Sequence, residues 1–321
     1  MTQQQITYLA FGGLLVLALV FDLGLLSKKT SHVTIRKALL QTLFWVLLAF
    51  AFFVFVWLRT NKITALEYLS AYLTEWSLSI DNIFVFILIF SFFRVKEDYY
   101  ARVLLIGIMM AIIFRVIFIT VGIVLVERFS WILYFFGAIL VYTGIKMFAT
   151  DHKEEVDLSK NRVYTFLKRF LPLLPEDANG KFIIRRNGKK YYSTIFVVVI
   201  MLATTDIVFA LDSIPAVFGI STNRLVIYTS NIFAVLGLRS LFFLLKGAVN
   251  KFAHLQQGIA VVLIFIGLKM LAEIFHLKIP VYISLLVILV CIAASMLYSV
   301  SVAGREQEKD VAESKSKGDL H

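Results

Sequence analysis

What most constrains this chain is a succession of apolar stretches too long and too numerous for a soluble core. Nine of them, roughly 6–26, 39–58, 66–93, 103–125, 131–149, 194–219, 225–245, 255–275 and 280–302, meet or approach the ~20 residues that carry a helix across a bilayer. Hydrophobic residues make up 60% of the 321, charged residues 17%, and mean hydropathy is +0.85, a balance no soluble fold of this size could hide. A β-barrel would need strands of about ten alternating residues, which the long unbroken runs do not offer. The expected fold class is therefore an all-α polytopic membrane protein of nine transmembrane helices. The segment before Ile6 carries no Lys or Arg and no small-residue cleavage site follows Leu26, so the first stretch is expected to be a span, not a signal peptide. Cys291 is the single cysteine, which excludes a disulfide scaffold and a cysteine-based metal cluster.

The net charge of +11 reads as topology, not as nucleic-acid binding, because the basic residues are confined to particular loops. The segments after stretches 1, 3, 5, 7 and 9 hold 23 of the 32 Lys and Arg, and the N-terminus with the other segments holds 5. The positive-inside rule then puts the N-terminus outside and the C-terminus in the cytoplasm. The expected organisation is two N-terminal helices (1–65), a three-helix unit (66–149), a cytoplasmic loop (150–193), a second three-helix unit (194–275), a ninth helix (276–304) and a disordered cytoplasmic tail (305–321). The loop opens acidic (Asp151, Glu154, Glu155, Asp157) and continues as a short amphipathic helix near 160–171. It ends in a small β-hairpin at 182–193, whose Asn187-Gly188 pair suits a type I′ turn.

The two three-helix units repeat one another. Glu75-x5-Asp81-Asn82 resembles Asp206-x5-Asp212-Ser213, Arg115 matches Arg239, and Gly144-Ile145-Lys146-Met147 matches Gly267-Leu268-Lys269-Met270. An odd number of spans per unit makes the repeats inverted, an arrangement characteristic of transporters whose site lies where the repeats meet.

Glu75, Asp81, Asp206 and Asp212 lie well inside spans, where each ionised group costs about 2.5–3.5 kcal/mol unless paired, protonated or hydrated. Internal salt bridges to Arg115, Arg239 and Lys146 are one explanation. The repeated spacing of the carboxylates, with the bases elsewhere, favours an ion site. On a continuous helix residues seven apart share a face and residues six apart do not, so Glu75 goes with Asn82 and Asp206 with Ser213. Pro215 cannot donate to the Leu211 carbonyl and disfavours α geometry at Ile214, so a local break is expected there. Antiparallel packing of the third and sixth spans is expected to set Glu75 opposite Asp212 and Asp81 opposite Asp206. The donor set is hard oxygen, with Asn82, Ser213, Asn231 and Thr205 beside the carboxylates, and it suits Mn²⁺, Mg²⁺ or Ca²⁺ rather than Zn²⁺ or Cu. Arg115, Arg239 and Pro215 are assigned to charge balance and gating. Asp22 and Glu273 read as boundary residues, and Trp131 and Tyr134 as interfacial anchors.

Three segments carry a resemblance to a known family: Glu-Trp-Ser-Leu-Ser-Ile-Asp-Asn-Ile-Phe-Val-Phe (75–86), Thr-Thr-Asp-Ile-Val-Phe-Ala-Leu-Asp-Ser-Ile-Pro-Ala (204–216) and Thr-Ser-Asn-Ile-Phe-Ala-Val-Leu-Gly-Leu-Arg (229–239). They resemble the signatures of the TerC family, closest to its Alx branch, over nearly the whole chain. The resemblance implies a bacterial inner-membrane protein of the LysE-like transporter superfamily, associated with manganese export and tellurite resistance. Two positions depart from the family pattern: Ala203 stands where Glu is usual, and Trp76 where Lys is common.

The expected function is export of Mn²⁺ from the cytoplasm by proton-coupled alternating access, with Mn²⁺ as transported substrate, no tightly bound organic cofactor and no enzymatic activity. The alternatives are a Ca²⁺ exporter and a non-transporting membrane scaffold of a tellurite or metal stress-resistance complex. Expected partners are the lipid bilayer, a divalent metal ion and protons. No nucleic acid is expected, and the sequence leaves a homo-oligomer open.

Overall fold

Side-chain caps and short links decide how the apolar stretches lie against one another. The computed structural model describes residues 11–13, 34–149, 165–166, 168–169, 171–174, 180–186, 189–246, 255–277 and 279–318. Its helices are α1 (Ile35–Arg59), α2 (Lys62–Phe92), α3 (Glu97–Arg128), α4 (Ile132–Ala149), α5 (Thr194–Ile220), α6 (Arg224–Leu236), α7 (Leu238–Leu245), α8 (Leu255–Ala272) and α9 (Val281–Gly318). Asn61 caps α2 by accepting from the Thr64 amide, Ser193 caps α5 from Phe196, and Asn223 caps α6 from Leu225. Links of two to four residues join α1, α2, α3 and α4.

Among the described residues seven helices are long and apolar enough to span a membrane, and the bent pair α6–α7 supplies an eighth. They coincide with the second to ninth expected stretches. Most of the first stretch, and Asp22 with it, lies outside the described residues. Phe11 from that stretch packs its ring 5.8 Å from Phe52 and 5.7 Å from Phe233. Trp131 and Tyr134 are exposed at the start of α4, and Glu273 is exposed in the single 3-10 turn that extends α8.

The core is built around α2, the most enclosed span, with α1, α5, α6 and α9 against it, and α3 packs on α5 and α6; α4 and α9 turn most of their surface outward. α3 is pinned to α6–α7 near both ends, by the Glu127–Arg224 and Glu97–Lys246 ion pairs. Among the described helices α4 and α8 share the most extensive packing. A β-carbon on Gly267 would lie 2.6 Å from the Gly137 carbonyl oxygen, and one on Gly144 would lie 2.8 Å from the Ala260 carbonyl oxygen. Small residues allow such contact where hydrocarbon provides no hydrophobic drive between helices.

Two expectations need correction. α5 runs through Pro215 as one uninterrupted helix, so no break opens there. The proline removes a single hydrogen bond, and residues 213–218, all buried, hold the turn in place. The bend falls instead at Gly237, where α6 and α7 meet at 41°. α2 is likewise continuous through 75–82. The chain beyond residue 305, expected to be a disordered tail, keeps helical backbone to Gly318. That segment contains no Pro and no Gly before Gly318, and it is rich in Glu and Lys, both good helix formers.

The loop sheet contains the expected hairpin as β2 (Ile183–Arg186) and β3 (Lys189–Ser193), antiparallel, with Arg186 opposite Lys189. That register leaves two residues for the turn; Asn187 and Gly188 themselves lie outside the described residues. β1 (Leu173–Leu174) adds a short parallel pairing on the far side of β3. Arg102 of α3 anchors the sheet by donating to the Gly180 carbonyl at 3.1 Å and stacking 5.0 Å over Phe182. Gly180 sits at φ +78°, and a β-carbon there would meet the Tyr99 ring at 2.7 Å. The acidic stretch at 151–157 and most of the amphipathic helix expected at 160–171 lie outside the described residues.

Candidate functional site: a buried arginine between two carboxylates

Four helices converge on one guanidinium. α3 carries Arg115, whose side chain is 1% exposed, into the space between α2, α5 and α6. Arg115 Nε and Nη2 donate to Asp206 Oδ2 and Oδ1 at 3.0 and 3.1 Å, a two-pronged pair with α5. Arg115 Nη1 donates to Glu75 Oε2 of α2 at 2.6 Å and to Asn231 Oδ1 of α6 at 3.2 Å. The Asn231 amide is oriented in turn by its donation to the Ile227 carbonyl at 2.9 Å. The planar fork of arginine matches this arrangement, which a lysine ammonium could not reproduce.

The cluster is completely enclosed, with Glu75 at 0% and Asp206 at 1% exposure. Two carboxylates and one guanidinium leave an excess of one negative charge among the three groups. Glu75 Oε1 is buried and has no hydrogen-bond partner, which is costly for an ionised oxygen. Three buried hydroxyls among the described residues also lack partners: Ser284 of α9, Ser79, one turn beyond Glu75 on the same face of α2, and Ser213, two turns beyond Asp206 on the same face of α5. Since α2 and α5 run antiparallel, Ser79 and Ser213 lie on opposite sides of the arginine along the helix axes. The antiparallel register is fixed near one end by Ser221, which donates to Glu67 Oε2 at 2.6 Å.

The expected layers are not the arrangement found. Glu75 faces Asp206 across Arg115, not Asp212. Internal pairing with Arg115, the alternative to an ion site in the sequence reading, holds for Glu75 and Asp206. Asp212 points to α4, where Thr143 Oγ1 donates to its Oδ1 at 3.0 Å. The reason is rotational: six residues of unbroken helix turn Asp212 well away from Asp206, and no unwinding at Pro215 brings it back. Asn82 and Ser213 are buried and Thr205 is half-buried; the Asp81 side chain lies outside the described residues. Arg239 is buried on α7, Ala203 is buried, and Trp76 packs half-buried against the core. Among the described residues no group of three or more His, Cys, Asp or Glu is gathered closely enough to hold a metal ion. Sequence reasoning gave no role to Thr143 or Glu67. Thr143 immediately precedes the repeated Gly-x-Lys-Met segment, but a hydroxyl within a span is too common to single out.

A bundle of membrane-spanning helices closed around buried, paired carboxylates defines a polytopic integral membrane protein. The family model of the integral membrane protein TerC family matches residues 60–307, and the chain belongs to that family. Among its relatives, an uncharacterized membrane protein of Rickettsia prowazekii (strain Madrid E) is 39% identical over 294 residues, 92% of this chain and 97% of the relative. An uncharacterized membrane protein of Myxococcus xanthus is 39% identical over 90% of both chains. A protein of Escherichia coli O157:H7 named as putative membrane-bound redox modulator Alx is 37% identical over 95% of this chain and 98% of its own. No solved structure matches.

Proposed function

We propose that this chain is a cation transporter that exports Mn²⁺ from the cytoplasm by alternating access. The observation that carries the reading is the enclosed pair Glu75 and Asp206, donors of hard-oxygen type with Glu75 Oε1 unsatisfied, at the junction of two units that repeat in sequence. The packing of α4 on α8 supports the repeat. Gly137 against Gly267 and Gly144 against Ala260 are the same contact once the units are exchanged by the Gly-x-Lys-Met register. The loop charges support an N-terminus outside and a C-terminus in the cytoplasm of a bacterial inner membrane. Coupling to proton entry follows if a proton meets the excess negative charge of the cluster in one half of the cycle and is released when cargo takes the carboxylates in the other.

The names of the Alx relatives raise a redox role as a second reading. Thiol–disulfide exchange within one chain needs two cysteines, and this sequence has one, Cys291, so ion transport is preferred. Ca²⁺ uses the same oxygen donors, and competition binding separates it from Mn²⁺.

The test is Mn²⁺ flux in proteoliposomes with and without an imposed pH gradient, alongside cellular Mn content with and without the gene. Flux that depends on the protein and follows the gradient is expected. Absence of flux rejects transport, and flux indifferent to the gradient rejects the coupling.

A further inference from the structure

Arg115 occupies the position that a transported cation would have to take. Its guanidinium uses both oxygens of Asp206 and one of Glu75, the strongest anionic donors the described interior offers between α2 and α5. Of the four buried side-chain oxygens without partners among the described residues, three lie on the two helices that hold it: Ser79 to one side of the cluster along the helix axes, Ser213 to the other, and Glu75 Oε1 between; the fourth is Ser284 of α9. A positive charge tethered to α3 therefore sits between unsatisfied oxygens of α2 and α5.

We propose that Arg115 is a built-in competitor of the cargo, and that a cation enters the site only by taking Glu75 and Asp206 from the guanidinium. This inference rests on the transport reading and specifies how its site is regulated. The chemistry favours exchange over coexistence. The three groups carry a single excess negative charge, so a divalent ion bound beside an unmoved Arg115 would turn a buried cluster from net negative to net positive. Such an excess is costly in a region of low dielectric. An ion that displaces the arginine instead meets both carboxylates, and the returning guanidinium expels it. The site is thereby kept from closing empty with two bare carboxylates, and the cargo is kept from binding too tightly to leave. Asn231, which accepts from Arg115 and is oriented by the Ile227 carbonyl, holds the guanidinium in its seat and is the positioning residue of this device.

The experiment is equilibrium Mn²⁺ binding to the purified full-length protein, wild type against Arg115→Ala, with guanidinium ion or its neutral isostere urea added at millimolar concentration. Arg115→Ala is expected to bind Mn²⁺ about tenfold more tightly or better, a factor in the ordinary range of coupling between competing ligands. Guanidinium should return the affinity toward the wild-type value and urea should not. Flux in the same variant should fall, because nothing expels the ion. Binding by Arg115→Ala that is equal to or weaker than wild type, or unaffected by guanidinium, overturns the proposal. If Arg115→Ala does not purify as folded protein, Arg115→Lys serves, since one ammonium cannot hold both carboxylates. A smaller gain in affinity is then expected, and no gain overturns the proposal. Wild-type flux with no tighter binding in the variants rejects the competitor role and leaves transport standing, whereas absence of wild-type flux rejects transport itself.

Discussion

Arg115 and Asp206, 91 positions apart in the chain, form a two-pronged ion pair with Nε–Oδ2 and Nη2–Oδ1 separations of 3.0 and 3.1 Å and almost no exposure. Breaking a buried pair from one side leaves an uncompensated charge, which typically costs about 3–5 kcal/mol. Arg115→Gln, which leaves Glu75 and Asp206 enclosed with no cation between them, is therefore expected to lower the thermal stability of the detergent-solubilised protein sharply. Adding Asp206→Asn to it should restore part of the loss, because it removes one of the two uncompensated charges and the two changes share one interaction. Simple additivity in the thermal midpoints would argue against the pair as the stabilising unit.

The α4–α8 crossing should tolerate no side chain. In Gly267→Ala the new methyl would stand 2.6 Å from the Gly137 carbonyl oxygen and 2.9 Å from the Val141 amide nitrogen, both backbone atoms that cannot swing aside. A loss of about 1–3 kcal/mol is expected from the forced separation. Gly237→Ala is the control, since its nearest contact is the Trp45 β-carbon at 3.6 Å, and it should leave the midpoint close to wild type.

Asp212, turned away from the arginine by the unbroken α5, accepts from Thr143. Asp212→Asn should insert and fold normally, because neutralising a carboxylate within a span eases insertion, and should abolish Mn²⁺ flux. Thr143→Val should reduce flux to a lesser degree with folding intact. Full flux in Asp212→Asn would remove this residue from the transport path.

The β2–β3 register, with Arg186 opposite Lys189, leaves Asn187 and Gly188 as a two-residue turn. Replacing both with Ala-Ala should weaken the loop and leave Mn²⁺ affinity near normal, since Arg102 anchors the sheet far from the carboxylates along α3. A cysteine placed at 188 in a Cys291→Ser background should label only from the cytoplasmic side. Labelling from the periplasm would reverse the topology inferred from the loop charges.

Much of this architecture was legible because hydropathy and caps are local. The apolar runs located eight spans, and alternating β-rich residues around Asn187-Gly188 located the hairpin. The spacing of Glu75 and Asp206 marked two residues that the fold does bring together. Two matters were not legible. Residue spacing fixes angles on one helix but not the rotation of that helix against its neighbour, so Asp212 was expected beside Glu75 and is found beside Thr143. Chain position says little about how far a long side chain reaches, so Arg115, assigned to charge balance and gating, is found at the centre. Pro215 and Gly237 carry a related lesson. The helix stays whole at Pro215 and bends at Gly237 although both turns are buried, so neither a proline nor burial by itself locates a bend.

The glycine crossing of α4 with α8 has a consequence for how the molecule could be assembled. One partner of that crossing comes from residues before the loop at 150–193 and the other from residues after it, and the same is true of Glu75 and Arg115 on one side and Asp206 and Asn231 on the other. A chain severed within the loop would lose one covalent link and none of these contacts. The two halves, expressed as separate polypeptides in one cell, should find each other in the bilayer and reconstitute the whole, as two subunits of a heterodimer would.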